Sequence, residues 1–220
     1  MSAVLLHIET ATKVCSVALS IDGRLVALKE STSDAYIHGE SLTLFIEEVF
    51  RTAHLKIEHL AAVSISSGPG SYTGLRIGVS TAKGLCFALQ IPLIQIPTLA
   101  SLMQLCRNEV PRQNLLAALD ARRMEVYSLI QAPDGKILKS LSADTVDENS
   151  YSEFDPFVCF GDATFKLKEL WANRAVIFND DIYCSAKGQV EIAFSKFKAQ
   201  EFEDLGNFVP FYLKEFQTNL

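Results

Sequence analysis

The sequence predicts an α/β protein made of two mixed sheets flanked by helices. Three observations carry this expectation. Short apolar runs of strand length alternate with longer segments of helical periodicity. Asp-Gly pairs punctuate the strand runs as hairpins. The strand–acid–hairpin pattern of the first half then returns in the second.

Val4 to Ile8 is an apolar run suited to a buried strand. Cys15 to Ser20 alternates, Asp22-Gly23 marks a hairpin, and Leu25 to Leu28 follows as a third strand. Leu42, Phe45, Ile46, Val49 and Phe50 recur at i, i+3, i+4, i+7 and i+8, which predicts an amphipathic helix over 39–51 with Leu44 on the opposite face. A strand over Ala61–Ile65, a glycine-rich turn, a helix over Thr73–Leu89, a strand over Pro92–Ile96 and a helix through Ala100, Leu102, Met103 and Leu105 complete this half. Hairpins followed by helical crossovers are the order of an RNase H-like fold.

Leu5-Leu6-His7-Ile8-Glu9 is echoed by Leu115-Leu116-Ala117-Ala118-Leu119-Asp120, and Asp22-Gly23-Arg24 by Asp134-Gly135-Lys136. Phe157 to Phe160 with Gly161-Asp162 echoes the later strand of the first half. A helix over Thr164–Trp171, a strand over Ala175–Phe178 and a helix marked by Val190, Ala193, Phe194 and Phe197 follow. The expected divisions are a first RNase H-like half, 1–104, and a second, 105–220, joined near 100–112, with the aromatic tail 205–220 packing back on the body. Two such halves form the actin/sugar-kinase/heat-shock ATPase (ASKHA) architecture.

Composition narrows the function. The chain has 220 residues, 49% of them hydrophobic, enough to bury a core. No apolar stretch approaches the ~18 residues of a membrane span, and the N-terminus lacks the basic segment of a signal peptide. Five scattered cysteines never form Cys-x-x-Cys, which fits buried free thiols in a reducing cytoplasm. A net charge of −6 without a basic cluster predicts poor nucleic-acid binding by this chain alone. The four histidines show no metal spacing.

The strongest local feature is Ser66-Ser67-Gly68-Pro69-Gly70-Ser71-Tyr72-Thr73-Gly74-Leu75-Arg76-Ile77-Gly78. Such glycines permit close approach of a ligand or another segment, and the following helix start suits an anion, yet the Lys-Ser/Thr of a phosphate loop is missing. A tight turn packed on its own neighbour is the competing reading. In the next helix Gly74, Gly78, Thr81, Leu85 and Ala88 share a mostly small face, suited to internal packing or to a partner. Glu9, Asp120 and Asp162 at strand ends are candidates for a residual cleft, or turn-forming acids. Arg122 and Arg123 form a turn tip that either grips an anion or pairs with Asp120 or Glu125.

Four segments together resemble one family. They are Ile8-Glu9-Thr10-Ala11-Thr12 with Cys15-Ser16-Val17-Ala18-Leu19; Ser67 through Gly78; Leu119-Asp120-Ala121-Arg122-Arg123 with Glu125-Val126-Tyr127; and Pro210-Phe211-Tyr212-Leu213-Lys214. They resemble the TsaB (YeaZ) family over nearly the whole chain. The departures are Glu9 where many members have Asp, and Gly161-Asp162-Ala163 where many have Gly-Asp-Gly.

The resemblance implies a non-catalytic scaffold and dimerisation subunit. Its partners would be the related catalytic subunit TsaD and the ATPase TsaE, which transfer threonylcarbamoyl to N6 of the tRNA adenosine beside the anticodon. It implies a partner surface on the helices at 39–51 and 73–89, with Leu44, Glu47, Gly74, Gly78, Thr81, Leu85 and Ala88, and a homodimer through the same surface. tRNA would be met only through the complex, and a membrane not at all. TsaD's His-x-x-x-His metal pair aligns with Thr98 and Leu102, which do not ligate metal. No metal or cofactor is assigned to this chain, and ATP or ADP is allowed only at the level of the complex. The alternatives are a small-molecule phosphotransferase of the sugar-kinase architecture and a glycopeptidase.

Overall fold

The structure, a computed structural model, describes residues 2–32, 38–107 and 112–214. The His38 side chain, residues 108–111 of the expected link between halves, and the tail beyond Lys214 with Phe216 lie outside the described residues.

The strand β1 (Val4–Glu9) lies at the centre of the first sheet, and all six of its residues are buried. A strand covered on both faces reads as a continuous apolar run, which is why Val4 to Ile8 shows no alternation. It pairs antiparallel with β2 (Val14–Ile21), which pairs antiparallel with β3 (Arg24–Thr32). The β2–β3 turn holds Asp22 and Gly23 at φ 50° and 77°, the left-handed region that an Asp-Gly pair tolerates. On its other side β1 runs parallel to β4 (Leu60–Gly68), and β4 to β5 (Leu93–Pro97).

The second sheet repeats this plan. β6 (Asn114–Asp120) is central, antiparallel to β7 (Glu125–Gln131), which is antiparallel to β8 (Ile137–Thr145). β6 is parallel to β9 (Phe157–Phe160), and β9 to β10 (Val176–Asn179). The orders are β3-β2-β1-β4-β5 and β10-β9-β6-β7-β8, so Val4–Glu9 and Asn114–Asp120 hold equivalent places. The paired motifs read in the sequence reflect a topology used twice.

The helix α1 (His38–Ala53) buries Leu42, Ile46, Val49 and Phe50 in the first core and leaves Leu44 62% exposed. Each buried side chain contributes roughly 1.5–3 kcal/mol as an upper estimate. The helix α2 (Tyr72–Leu89) lies on the same sheet face. The other two long helices cross between the halves. α3 (Thr98–Arg107) follows the first sheet in sequence but places Leu99, Leu102, Met103 and Cys106 in the core of the second. α5 (Val190–Ala199) follows the second sheet but packs Ala193, Phe194 and Phe197 against Leu5, Ala62, Ile94 and Ile96 of the first. The segment before α5 meets α3 at Gly188, where a Cβ would stand 2.8 Å from Ser101 Oγ. The short helix α4 (Thr164–Leu170) covers the opposite face of the second sheet through Thr164 and Leu167. All five cysteines are buried free thiols.

Candidate functional site

The site is assembled at the edge of the first half, where α1, α2 and the glycine-rich turn meet. Ser71 caps α2 by accepting a hydrogen bond from the Gly74 N–H at 3.2 Å, and the Ser71 N–H donates to the Ala11 carbonyl at 2.6 Å. A Cβ at Gly70 would lie 2.7 Å from Ala11 Cβ. Gly68, at φ +112°, sits directly under the Phe211 carbonyl, and the Phe211 N–H donates to Ser67 O at 2.7 Å. The glycines of this turn therefore admit two segments of the same chain, the β1–β2 turn on one side and the tail on the other. The Tyr212 ring packs on Tyr72 at 5.0 Å between centroids, tilted by 40°, the Arg76 guanidinium lies 4.0 Å from the Tyr72 ring, and Thr73 is exposed. The anion expectation for this turn gives way to internal packing.

The small face of α2 is divided. Gly74 and Gly78 are buried, and a Cβ at Gly78 would overlap Thr10 Oγ1 and meet Ile65 Cδ1 at 3.0 Å. The smallness of Gly78 lets α2 lie against β4 and the β1–β2 turn, so Gly78 meets its own chain where a partner contact was expected, and Gly74 is likewise buried. Farther along, Thr81 and Leu85 line a groove of about 360 Å³ with Thr43, Ile46, Glu47 and Phe50 of α1 and with Ile57. Glu47 and Ala88 are exposed. On a different face of α2 stands Phe87, 79% exposed, which the sequence reading missed. The signal was present, because Phe87 falls on the helix face of Arg76 and Lys83 and has no core position there.

The three strand-end acids do not form one cleft. Glu9 is fully buried, accepting from the Ala11 N–H at 2.8 Å and from the Ser66 hydroxyl. Gln189, arriving from the segment before α5, donates to Ile8 O at 2.7 Å and Ser66 Oγ at 3.2 Å and accepts from Ser64 Oγ at 2.7 Å. Ser64 also meets His7 Nδ1 at 2.7 Å, and Ser20 meets His7 Nε2 at 2.8 Å. Burial pushes the Glu9 carboxyl above its ordinary range, with the bonds from Ser66 and Ala11 opposing. This corrects Glu9 as an accessible cleft acid: Gln189 and its neighbours seal it.

Asp120 and Asp162 are brought together, with the Asp120 N–H donating to Asp162 Oδ1 at 2.8 Å. Solvent reaches Asp162, yet protein crowds it closely, and that desolvation raises its carboxyl to about 6. Asp120 is held by the largely buried Lys166 at 2.5 Å. Thr98 and Leu102, aligned with a metal pair in the resemblance, are fully buried in α3. Among the described residues no group of three His, Cys, Asp or Glu side chains is placed to hold a metal ion.

Two linked sheets of identical topology, with helices exchanged between them, define a protein of the actin/sugar-kinase/heat-shock ATPase architecture. YeaZ from Pseudomonas aeruginosa superposes with a TM-score of 0.81 at 24% identity, covering 96% of this chain and 100% of that one. The 2-hydroxyisocaproyl-CoA dehydratase activator from Clostridium difficile follows at 0.53, 12% identity, 93% and 99%; both likenesses concern the fold. The family described as "TsaD: tRNA N6-adenosine threonylcarbamoyltransferase" matches residues 33–216. The proteins called "tRNA threonylcarbamoyladenosine biosynthesis protein TsaB" from Haemophilus influenzae and Escherichia coli are 34% and 35% identical over 123 residues, 56% of this chain and 51% and 52% of theirs. The matched region thus spans about half the length of these curated relatives. The chain belongs to this family, on its TsaB (YeaZ) side.

Proposed function

We propose that the chain is a scaffold and dimerisation subunit in the synthesis of threonylcarbamoyladenosine on tRNA. It would bind a catalytic TsaD subunit, with TsaE joining them, in the cytoplasm. The observation that carries the reading is the α1–α2 surface, where an apolar groove lies open between the two helices and Leu44 of α1 stands 62% exposed. Leu44, Glu47, Thr81, Leu85 and Ala88 are the contacts we assign to the partner. A monomer gains nothing from an exposed leucine and an open apolar groove on the same pair of helices, whereas an interface gains their burial. The same surface would serve a homodimer, so the two assemblies would compete.

Residue identity supports a supporting rather than catalytic role. Thr98 and Leu102 bring no metal ligand to the start of α3, and Glu9 is closed off by Gln189. Residues 1–104 and 105–220 are proposed as the two halves, each lending one helix to the other. The test is calorimetry of the purified chain with TsaD. Leu44→Glu, which leaves the core untouched, is expected to keep native melting and to weaken binding at least tenfold. Undiminished binding by that folded variant removes α1 from the interface.

A further inference from the structure

The turn joining β6 to β7 carries two adjacent arginines whose side chains take no part in holding it. Arg122 and Arg123 lie at φ 68° and 49°, a backbone region that side chains bearing a Cβ enter only at a cost. Both are exposed. The nearby acids are already committed. Asp120 is bound by Lys166, which also donates to Arg123 O at 2.9 Å and Glu125 O at 2.5 Å and so fixes the turn from beneath. The Glu125 carboxylate is taken by Lys214 of the tail. Among the described residues neither guanidinium makes a hydrogen bond or an ion pair. The turn itself is tied to these residues, with the Arg122 N–H donating to Asp120 Oδ1 at 3.2 Å and the Glu125 N–H to Arg122 O at 3.1 Å, but the guanidiniums pair with neither acid.

The duplicated fold supplies an internal control. The equivalent turn of the first half, between β1 and β2, is packed beneath α2, with Thr10, Ala11 and Thr12 buried. In the second half α4 has seven residues against the eighteen of α2 and leaves the turn open. One copy of the element is thus a packing surface. The other presents two uncompensated cations beside Met124, 39% exposed, and Phe165, the residue before the anchoring lysine, 67% exposed.

We infer that Arg122 and Arg123 form a contact for the phosphate backbone of the tRNA within the assembled complex. This rests on the scaffold reading above. Guanidiniums present a fork of donors that matches phosphate oxygens, and a turn held rigidly from below places that fork without an ordering cost. Two such contacts on a chain of net charge −6 are too few for binding alone, so the contribution appears only when a partner supplies the remaining surface. Exposed Phe165 and Met124 add apolar surface against which an unpaired base can lie.

The experiment uses the complete complex of this chain with TsaD and TsaE, and an unmodified tRNA transcript as probe. Affinity is measured by fluorescence anisotropy across a salt series. Arg122→Asn combined with Arg123→Gly places residues that accept positive φ where the arginines are, so the variant should melt at or above the wild-type temperature. It should assemble normally and bind tRNA on the order of tenfold more weakly at 0.1 M salt, with a salt slope shallower by about 1 to 2. Arg122→Lys with Arg123→Lys should keep most of the slope. Unchanged tRNA affinity and slope in an assembled Asn/Gly complex overturns the inference. So does loss of assembly by that variant, which would make the pair a protein contact, or loss of ADP binding with tRNA binding intact, which would assign it to a nucleotide phosphate. If the wild-type chain fails to assemble with TsaD, the scaffold reading itself has failed.

Discussion

Gly78→Ala separates the two roles that the small face of α2 was open to. The new methyl would overlap Thr10 Oγ1 and sit 3.0 Å from Ile65 Cδ1, both parts of a buried framework. Overpacking of this kind costs roughly 1–3 kcal/mol. Against it, replacing glycine within a helix returns about 0.8–1 kcal/mol. With the overlap at Thr10 Oγ1 putting the cost in the upper part of that range, about 2–3 kcal/mol, the net expectation is a loss of about 1–2 kcal/mol, a fall in Tm of roughly 2–8 °C for a chain of this size. Thr10 Oγ1 makes no hydrogen bond, so its removal by Thr10→Ala deletes no polar pairing. The double variant Gly78→Ala/Thr10→Ala should therefore recover most of the loss, with a coupling energy of about 1 kcal/mol or more. The assay is thermal and urea unfolding of the four proteins of the cycle, followed by calorimetry with TsaD under conditions where all are folded. A Gly78→Ala protein as stable as wild type, or strictly additive effects, would refute the packing argument. Weakened TsaD binding by a folded Gly78→Ala protein would restore Gly78 to the interface.

Other outcomes follow from the same contacts. Truncation after Phe208 removes the Phe211–Ser67 hydrogen bond, the Tyr212 ring on Tyr72 and the Lys214–Glu125 pair, and should cost about 1–3 kcal/mol in urea unfolding; an unchanged midpoint would show that the tail only rests on the turn. Burial lowers His7 from an ordinary 6.5 to about 3, so the unfolded chain binds a proton there first; stability is full above pH 6.5 and declines as pH falls toward 3, and His7→Asn should flatten that decline in a pH series of melts. Glu9 has the opposite sign, because burial raises its folded pKa; its contribution is present below about 4.5 and is lost as pH rises through the folded value. Glu9→Gln should therefore gain on wild type at pH 7–8 and not at pH 4, and a gap independent of pH would remove Glu9 as its source.

The elements that were legible in the sequence are those whose signal is local. The stripe from Leu42 to Phe50 can bury itself only as a helix, and it spans 38–53 against the expected 39–51. Asp22-Gly23 accepts positive φ wherever it stands. What escaped the reading depends on contacts between distant residues. A helical wheel groups Gly74, Gly78, Thr81, Leu85 and Ala88, but it does not reveal that Thr10 lies opposite Gly78 and α1 opposite Thr81 and Leu85. Glu9 looks like a cleft acid until Gln189 arrives from the far end of the chain. Arg122 and Arg123 have acids as neighbours in sequence, yet those acids are claimed by Lys166 and Lys214, which the turn does not contain.

Comparing the two halves therefore says more about function than either half does alone. Both begin with a central strand ending in an acid, both turn into an antiparallel partner, and both receive a helix from the other half. In the first, a long glycine-bearing helix lies down on the turn, Gln189 closes over the acid, and the free surface moves outward to α1 and α2. In the second, the covering helix is short, the acids Asp120 and Asp162 remain in reach of solvent, and the turn keeps two cations without counter-charges. A duplicated sheet that had kept one shared function would keep its two turns alike. These turns have diverged in opposite directions, one toward apolar contact and one toward charge, which is the divergence that the proposed scaffold and the inferred phosphate contact call for.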